Sequence, residues 1–116
     1  MKKLTTAEEQ VMQVLWKLEK AFVKEVIEEL EEPKPAYNTV STIIRILEQK
    51  GFVGYETVGR SHKYHPLIDK DTYSNQFLKN FIGSYFSGSF EKMLSFFMEK
   101  NDIDLKEMEE LMKNNK

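Results

Sequence analysis

Apolar residues recur every three or four positions over the first part of the chain, the spacing that places them on one face of an α-helix. The first such stretch predicts a helix over residues 7–19, and Thr6 and Glu9 have the spacing of a capping box at its start. The second stretch predicts a helix over residues 23–30, which halts near Pro33 because proline cannot continue a helix. The chain is therefore expected to begin with two short amphipathic helices.

A third helical stretch covers residues 38–50 and is followed by Gly51, where a left-handed C-cap is favoured. The hydrophobic period then changes, because residues 52–57 and 61–65 are rich in aromatic and β-branched side chains. These two segments flank Gly59 and predict an antiparallel β-hairpin. Three helices followed by a hairpin is the order of a winged helix-turn-helix, so we expect a mainly α fold with a small β-hairpin.

The predicted third helix has two contrasting faces. Its apolar face carries Val40, Ile43, Ile44 and Leu47. Its opposite face is polar and nearly uncharged, with Asn38, Ser41, Thr42, Arg45 and Gln49. Short hydrogen-bonding side chains and one guanidinium are the groups that read base edges in the major groove. Because a solvated helix face is usually rich in Glu and Lys, groove reading is favoured over the alternative of a neutral surface face.

The charge changes sign along the chain. The total of −2, from 17 Lys and Arg against 19 Asp and Glu, by itself disfavours a polyanionic partner. Residues 7–32, however, contain 3 Lys against 8 Glu, whereas residues 34–65 contain five cations against two glutamates. The positive segment coincides with the third helix and the hairpin, so the charge distribution permits nucleic-acid binding there.

Further DNA contacts are expected around this helix. Arg60 at the hairpin tip is placed to reach phosphate or the minor groove, although an idle exposed arginine is an equal alternative. Lys63 and His62 could add contacts to the DNA backbone. Tyr37 and Thr39, at the start of the helix, could donate to a phosphate, which the helix N-terminus also attracts. For Tyr37, packing against the preceding prolines is an equal alternative.

From Asp71 onward the pattern is helical again and rich in aromatic residues. Residues 71–116 are too few to enclose a core, so their apolar stripe needs a cover. A second copy of the chain is favoured over folding back onto the N-terminal domain, which has its own core. We therefore predict a DNA-binding domain in residues 1–70 and a homodimerisation region in residues 71–116. The predicted dimer-interface residues are Phe77, Phe81, Tyr85, Phe86, Phe90, Leu94 and Phe97.

Several classes of function are disfavoured by what the sequence lacks. There is no cysteine, which excludes disulfides and thiolate metal sites. His62 and His65 would lie on opposite faces of a strand, so they do not predict a metal site. No phosphate-binding glycine loop or catalytic triad is present, so we expect neither an enzyme nor a cofactor. With no signal peptide and no membrane span in the pattern, we expect a cytoplasmic protein without membrane insertion.

Six short segments stand in a characteristic order: Leu4–Glu8, Val11–Trp16, Tyr37–Leu47, Lys50–Gly51, Gly59–Arg60 and Tyr64–Leu67. Together with the stretch from Phe90 to Lys100 and the closing acidic helix, they resemble the penicillinase-repressor family of bacterial winged-helix regulators. The resemblance covers essentially the whole chain. It implies a homodimeric repressor of a palindromic DNA operator, acting in the regulation of antibiotic resistance, with DNA read by the winged helix and dimerisation through the C-terminal helices.

The resemblance also bears on how the repressor is released. The family's copper-responsive branch carries a cysteine-rich C-terminal motif, and the absence of cysteine excludes that route here. The β-lactam-responsive branch is cleaved at an Asn-Phe bond in the dimer region, under control of a membrane sensor protease. The corresponding bond here is Phe96–Phe97, where phenylalanine stands in place of the asparagine.

The sequence thus predicts a homodimeric, sequence-specific repressor whose partner is a double-stranded DNA operator. Asn38, Thr39, Ser41, Thr42 and Arg45 are expected to enter the major groove, with Arg60 on the hairpin. The alternative is a dimeric winged-helix adaptor that does not bind DNA and docks a partner protein on the same face of the third helix.

Overall fold

The computed structural model describes residues 2–114, in which the chain forms six α-helices and one antiparallel β-hairpin. In chain order the elements are α1 (Thr6–Leu18), α2 (Val23–Glu29), α3 (Tyr37–Gln49), β1 (Val53–Val58), β2 (Ser61–Pro66), α4 (Lys70–Tyr85), α5 (Phe90–Lys100) and α6 (Leu105–Asn114). The chain divides after Tyr73 into an N-terminal and a C-terminal compact unit. The predicted fold class, mainly helical with a small hairpin, is confirmed.

α1 begins one residue earlier than its sequence pattern predicts. The Thr5 hydroxyl accepts a hydrogen bond from the Glu8 N–H (3.2 Å), and the Glu8 carboxylate accepts one from the Thr5 N–H (2.9 Å). The prediction that Thr6 and Glu9 form the capping box is therefore wrong. Both pairs have the same spacing, and tertiary packing selects Glu8, whose side chain is buried in the N-terminal unit.

The core of the N-terminal unit lies where α1, α2, α3 and the hairpin meet. Its fully buried side chains are Val11, Met12, Leu15, Val26, Val40, Ile44, Leu47, Phe52 and Val53. Burial of a large apolar side chain contributes about 1.5–3 kcal/mol, so this cluster is the main source of stability of the unit. α3 contributes its whole apolar face to the cluster, which fixes the side that it turns to solvent.

α3 ends in a Schellman motif, as the position of Gly51 predicts. Gly51 has a φ of 83°, its N–H donates to the Glu48 carbonyl (3.0 Å), and the Phe52 N–H donates to the Leu47 carbonyl (2.9 Å). Phe52 and Leu47 are both fully buried. The motif therefore directs the chain from α3 straight into the hairpin.

β1 and β2 pair over their whole length, with Val53 opposite Pro66. Gly59, at a φ of 63°, lies in the short turn between the strands. On the other side of β2, Ala21 exchanges two backbone hydrogen bonds with Tyr64 (2.9 and 2.8 Å), which joins the hairpin to the segment between α1 and α2.

Side chains alternate between the two faces of the hairpin. The inner face, which meets the core and α3, carries Val53, Tyr55, Thr57, His62, Tyr64 and Pro66. The outer face carries Gly54, Glu56, Val58, Ser61, Lys63 and His65. His62 and His65 therefore lie on opposite faces, as their spacing predicts.

The first turn of α4 belongs to the N-terminal unit because of Tyr73. Its ring contacts the rings of Trp16 (centroids 5.6 Å apart) and Phe52 (5.8 Å), and its hydroxyl donates to the Glu9 carboxylate (2.6 Å). Burial and this negatively charged acceptor both raise the pKa of the Tyr73 hydroxyl. The division between the units thus falls three residues beyond the boundary expected after residue 70.

The C-terminal unit contains no fully buried side chain among residues 74–113. Its rings touch one another, with Phe81 next to Phe86 (centroids 5.9 Å apart) and Phe86 next to Phe96 (5.5 Å), but most remain exposed. The Asp104 carboxylate accepts from the Glu107 N–H (2.8 Å) and caps α6.

Candidate nucleic-acid interface

The polar face of α3 is the exposed face of the helix. Opposite Val40, Ile44 and Leu47, which have no exposed surface, five side chains point to solvent and Ser41 is half-buried. The five exposed residues are Asn38, Thr39, Thr42, Arg45 and Gln49. The residues that the sequence predicts for the major groove are therefore brought together on one continuous surface, and none is a carboxylate.

One hydroxyl of this surface is already engaged. The Thr42 hydroxyl donates to the Asn38 carbonyl one turn earlier (2.8 Å). Its oxygen lone pairs and its methyl group remain available, so Thr42 presents an acceptor and an apolar contact rather than a donor. The side chains of Asn38 and Arg45 make no hydrogen bond among the described residues, and they supply the donors of this face.

The N-terminus of α3 lacks a side-chain cap. α1, α4, α5 and α6 each start with a side chain that accepts from the first turn, from Thr5, Asp69, Ser89 and Asp104 respectively. The N-cap residue of α3 is Ala36, whose side chain offers no hydrogen-bond acceptor, and the first turn of α3 contains no acidic residue. The free N–H groups and the positive end of the helix dipole are suited to an anion such as a phosphate. Tyr37, about half exposed, and Thr39 lie at this end.

Three of the five cations between residues 34 and 65 act within the N-terminal unit. The Lys50 ammonium pairs with the Glu8 carboxylate (2.6 Å) and donates to the Lys3 carbonyl (3.0 Å). The Lys34 ammonium donates to the Glu28 carbonyl at the end of α2 (2.8 Å). The Lys63 ammonium lies over a phenylalanine ring, which is described below. The count of charges along the sequence could not distinguish these cations from free ones.

The Glu8–Lys50 pair is partly buried and holds α1 to the end of α3. Burial opposes ionisation of Glu8, but the Lys50 ammonium and the Thr5 N–H outweigh it and hold the pKa of the carboxyl below its ordinary value. Lys50 therefore neutralises a buried acid and does not add to the positive surface.

Arg45 and Arg60 are the two arginines of the chain, and neither guanidinium has an ion-pair or hydrogen-bond partner among the described residues. Arg45 lies in the centre of the polar face of α3 and Arg60 at the tip of the hairpin. Free guanidinium groups are donors for guanine edges and for phosphates. The positive surface is thus concentrated at two points, one on the helix and one on the hairpin.

Lys63 lies on the outer face of the hairpin, away from α3. Its ammonium is 5.2 Å from the centroid of the Phe22 ring, a cation–π contact that holds the side chain against the N-terminus of α2. The structure therefore places Lys63 apart from the surface formed by α3 and Arg60.

The inner face of the hairpin carries two stacked rings, a contact that the sequence does not predict. The Tyr55 ring and the His62 imidazole are stacked, with centroids 4.0 Å apart and planes 11° from parallel. Both side chains are exposed. Strand alternation puts both residues on one face, but the register needed to match them is visible only once the hairpin is folded.

The residues predicted for a dimer interface lie along α4 and α5. Five are exposed, namely Phe77, Phe81, Tyr85, Phe90 and Phe97, whereas Phe86 and Leu94 are half-buried within the C-terminal unit. The Phe96–Phe97 bond lies inside α5, and the Lys100 ammonium is 5.7 Å from the centroid of the Phe96 ring.

The structure also bears on metal binding and on membrane insertion. Within residues 2–114, no cluster of three or more His, Asp or Glu side chains is arranged to hold a metal ion. In the same range, no helix has both the length and the apolar character needed to cross a bilayer.

Comparison with known proteins assigns the chain to a family. The family model described as "Penicillinase repressor" matches residues 4–114. The methicillin resistance regulatory protein MecI of Staphylococcus aureus strain N315 is 30% identical over 109 residues, covering 93% of this chain and 89% of MecI. The penicillinase repressor of Bacillus licheniformis is also 30% identical over 109 residues, covering 93% of this chain and 85% of that protein.

Solved structures agree with the sequence comparisons. The solution structure of the DNA-binding domain of the repressor BlaI superposes with a TM-score of 0.54 at 35% identity, covering 63% of this chain and 94% of that domain. Monomeric Bacillus licheniformis BlaI, solved in complex with the blaP half-operator, superposes with a TM-score of 0.52 at 33% identity, covering 62% of this chain and 89% of the solved BlaI chain. The N-terminal unit has a winged-helix fold, in which the hairpin is the wing, and the chain belongs to the penicillinase-repressor family.

Proposed function

We propose that this chain is a homodimeric, sequence-specific transcriptional repressor that binds a palindromic DNA operator through α3 and the wing. The observation that carries the proposal is the exposed polar face of α3, formed by Asn38, Thr42 and Gln49 with the unpaired Arg45 guanidinium at its centre. The complex of Bacillus licheniformis BlaI with a half-operator supports it, because a related domain of the same fold binds DNA.

α3 supplies the base contacts in this proposal. Arg45 can make two hydrogen bonds to a guanine edge, Asn38 can make two to an adenine edge, and Thr42 offers its oxygen and methyl group. Thr39 and Ser41 lie beside them on the same helix. Tyr37 and the uncapped N-terminus of α3 take a backbone phosphate, and Arg60 takes another next to the minor groove. Gln49 is the outermost member of the set on α3, and Lys63, held on the outer face of the wing, is left out of it.

The C-terminal unit, from residue 74 onward, pairs two copies of the chain. Its exposed rings on α4 and α5 are large apolar side chains of the kind that a soluble protein ordinarily covers. A two-fold dimer covers the same surface on both copies and presents two α3 helices to the two halves of a palindrome. The dimer interface is proposed to centre on Phe77, Phe81, Tyr85, Phe90 and Phe97, with Phe86 and Leu94 beneath them.

Release of the operator is proposed to follow inactivation of the dimer region, for instance by cleavage of the Phe96–Phe97 bond under control of a membrane sensor protease. This bond lies in the middle of α5, where the Phe97 carbonyl accepts from the Asn101 N–H (3.1 Å). A protease binds its substrate as an extended chain, so α5 must open locally before cleavage. Loss of half of α5 would remove Phe97 from the dimer surface and separate the two reading helices.

The function is tested by the mobility of a labelled duplex taken from upstream of the gene, with competitor DNA at moderate salt, and by sedimentation of the protein. We expect a dimer that retards this duplex and not a scrambled duplex of the same composition. A dimer that never retards any duplex would instead favour the protein-binding adaptor, and a monomer would contradict the role of the C-terminal unit.

Arg60→Ala is expected to weaken binding of the operator and of scrambled DNA alike, because a phosphate contact carries no sequence information. The plot of log K against log salt concentration has a negative slope, and this slope should become shallower by about 0.9 per half-site. Lys106→Ala, which removes a cation from the exposed surface of α6, is the matched control and should leave the slope unchanged. An unaltered slope for Arg60→Ala would remove the wing tip from the interface.

Ala36→Asp is expected to stabilise the protein and weaken DNA binding at the same time. Ala36 has the extended backbone of an N-cap, with φ of −67° and ψ of 150°, so aspartate can cap α3 and raise the free energy of unfolding by about 1 kcal/mol. The same carboxylate would occupy and repel the phosphate site, lowering operator affinity at least about fivefold. Ala36→Ser, an uncharged cap, should give a smaller loss. Undiminished affinity in Ala36→Asp would place the phosphate elsewhere.

A further inference from the structure

The stacked rings of Tyr55 and His62 stand out among the aromatic side chains of the wing. The next ring on the same face, Tyr64, is buried, whereas Tyr55 is 43% exposed and His62 is exposed as well. No hydrogen bond of the described residues engages the His62 imidazole. A stacked, solvent-facing pair contributes little to the core and is free to make contacts outside the protein.

The pair faces the same side of the molecule as the reading helix. Tyr55, His62 and Tyr64 share the inner face of the wing. The pKa of the Tyr64 hydroxyl is raised by burial and by Glu48 and is lowered by Arg45, so these two charges of α3 act on this face. His62 also follows Arg60 by two positions along the wing. The His62 ring is 6.0 Å from the ring of Tyr64, on which the Arg45 charge acts, so the imidazole lies on the face of the wing nearest to Arg45.

We propose that Tyr55 and His62 form a proton-dependent contact to the DNA backbone, in which the protonated imidazole of His62 donates to a phosphate and the Tyr55 ring holds it in place. The inference rests on the proposed DNA binding and deepens it. Tyr55 is a positioning residue in this contact, and His62 is the contacting one.

The chemistry of the two side chains fits this role. A histidine titrates near neutral pH, and its protonated ring donates from both nitrogens. The face of a tyrosine ring stabilises a cation stacked on it, and a phosphate beyond the ring edge does so more strongly. Binding of DNA should therefore take up a proton at His62, and operator affinity should rise as the pH falls through neutrality.

Two elements bring charged groups towards His62. On the wing, Arg60 at the tip opposes the imidazolium charge, and Tyr55 and Tyr64 contribute rings on the same face. On α3, Arg45 opposes the charge and Glu48 favours it, with the Tyr37 hydroxyl as the remaining titratable group; Glu56 and Lys63 lie on the outer face of the wing. A phosphate bound at this surface adds the negative charge that tips the balance towards the protonated ring.

The chain contains its own matched control. It has two histidines, and the second, His65, lies on the outer face, where its Nδ1 atom is buried without a hydrogen-bond partner. His65→Gln therefore removes the other imidazole of the same hairpin, from a position that does not face α3.

The experiment measures the affinity of the full-length chain for the upstream duplex at about pH 6 and about pH 8, each over a range of salt concentrations. In the natural protein, affinity should be several-fold higher at the lower pH, and the salt slope should be steeper by up to about one unit per half-site. His62→Gln should bind as the natural protein does at the higher pH and should lose the pH-dependent gain. His65→Gln should keep that gain. Circular dichroism confirms that each variant is folded.

Tyr55 is tested by two replacements. Tyr55→Phe keeps the ring and should keep the pH-dependent gain, whereas Tyr55→Leu should lose most of it, which a merely structural role of the ring would not cause. Equal pH dependence in the natural protein and in His62→Gln would overturn the inference while the DNA-binding function stands. If the natural protein binds the duplex at neither pH, both the inference and the proposed DNA-binding function are overturned.

Discussion

Replacement of Arg45 by alanine should weaken operator binding by about 1–3 kcal/mol per half-site, which is about 5- to 150-fold, and the two half-sites of a palindrome add their losses. The guanidinium has no partner within the described residues, so its removal leaves no unsatisfied group in the protein and the loss measures the DNA contact itself. Because the contact is to a base, affinity for scrambled DNA should change little.

Arg45→Lys separates shape from charge at the same site. Lysine keeps the positive charge but cannot make two parallel hydrogen bonds to one guanine, so the variant should retain phosphate attraction and lose discrimination. A set of duplexes changed at one base pair per half-site should show relaxed preference at a single position. If each variant loses affinity by a factor that is the same on every duplex, Arg45 contacts phosphate. Base reading by α3 would then belong to the neighbouring side chains.

The position of Arg45 was predictable from local pattern alone. The apolar residues of α3 repeat at helical spacing, and burial of Val40, Ile44 and Leu47 leaves the other side to solvent whatever the rest of the fold does. The end of α3 was predictable for the same reason, since Gly51 is a local signal. Features set within one turn or one helix face are thus recoverable from sequence.

Features set by tertiary contacts were not recoverable. The sequence offers two equally spaced capping pairs at the start of α1, and only packing against Lys50, 42 positions away, selects Glu8. The same contact removes Lys50 from the positive surface to which the count of charges assigned it. The stacking of Tyr55 on His62 likewise needs the register of the hairpin, which side-chain alternation alone does not give.

These contacts connect the stability of the domain to the placement of its reading helix. α3 is held at its C-terminal end by the Schellman motif and by the Lys50–Glu8 pair, and along its length by core packing. Its N-terminal end has no side-chain cap and is left for an anion. The helix is therefore fixed where it meets the protein and open where it is proposed to meet DNA.

Lys50→Met should be the most destabilising single change in the N-terminal unit outside its apolar core. It leaves the buried Glu8 carboxylate without its cation. Breaking a fully buried pair costs about 3–5 kcal/mol, and this partly buried pair should cost less than that but still a large part of the free energy of unfolding of a small domain. Glu29→Gln is the control, because it breaks the Lys17–Glu29 pair of similar length (2.8 Å) on the exposed surface, where water screens the attraction and little stability should be lost.

The pH dependence of unfolding gives this prediction a second readout with a definite sign. In the natural protein the pKa of Glu8 is lowered, so its contribution to stability is complete above the ordinary pKa of glutamate and is lost as the pH falls through the lowered value. In Lys50→Met, burial without a cation should raise that pKa, so protonation relieves the buried charge and the penalty of the substitution should shrink as the pH falls. Urea unfolding of both proteins between neutral and acid pH measures the difference. A penalty that stays constant over this range would mean that the methionine disturbs packing and that the charge pair itself contributes little.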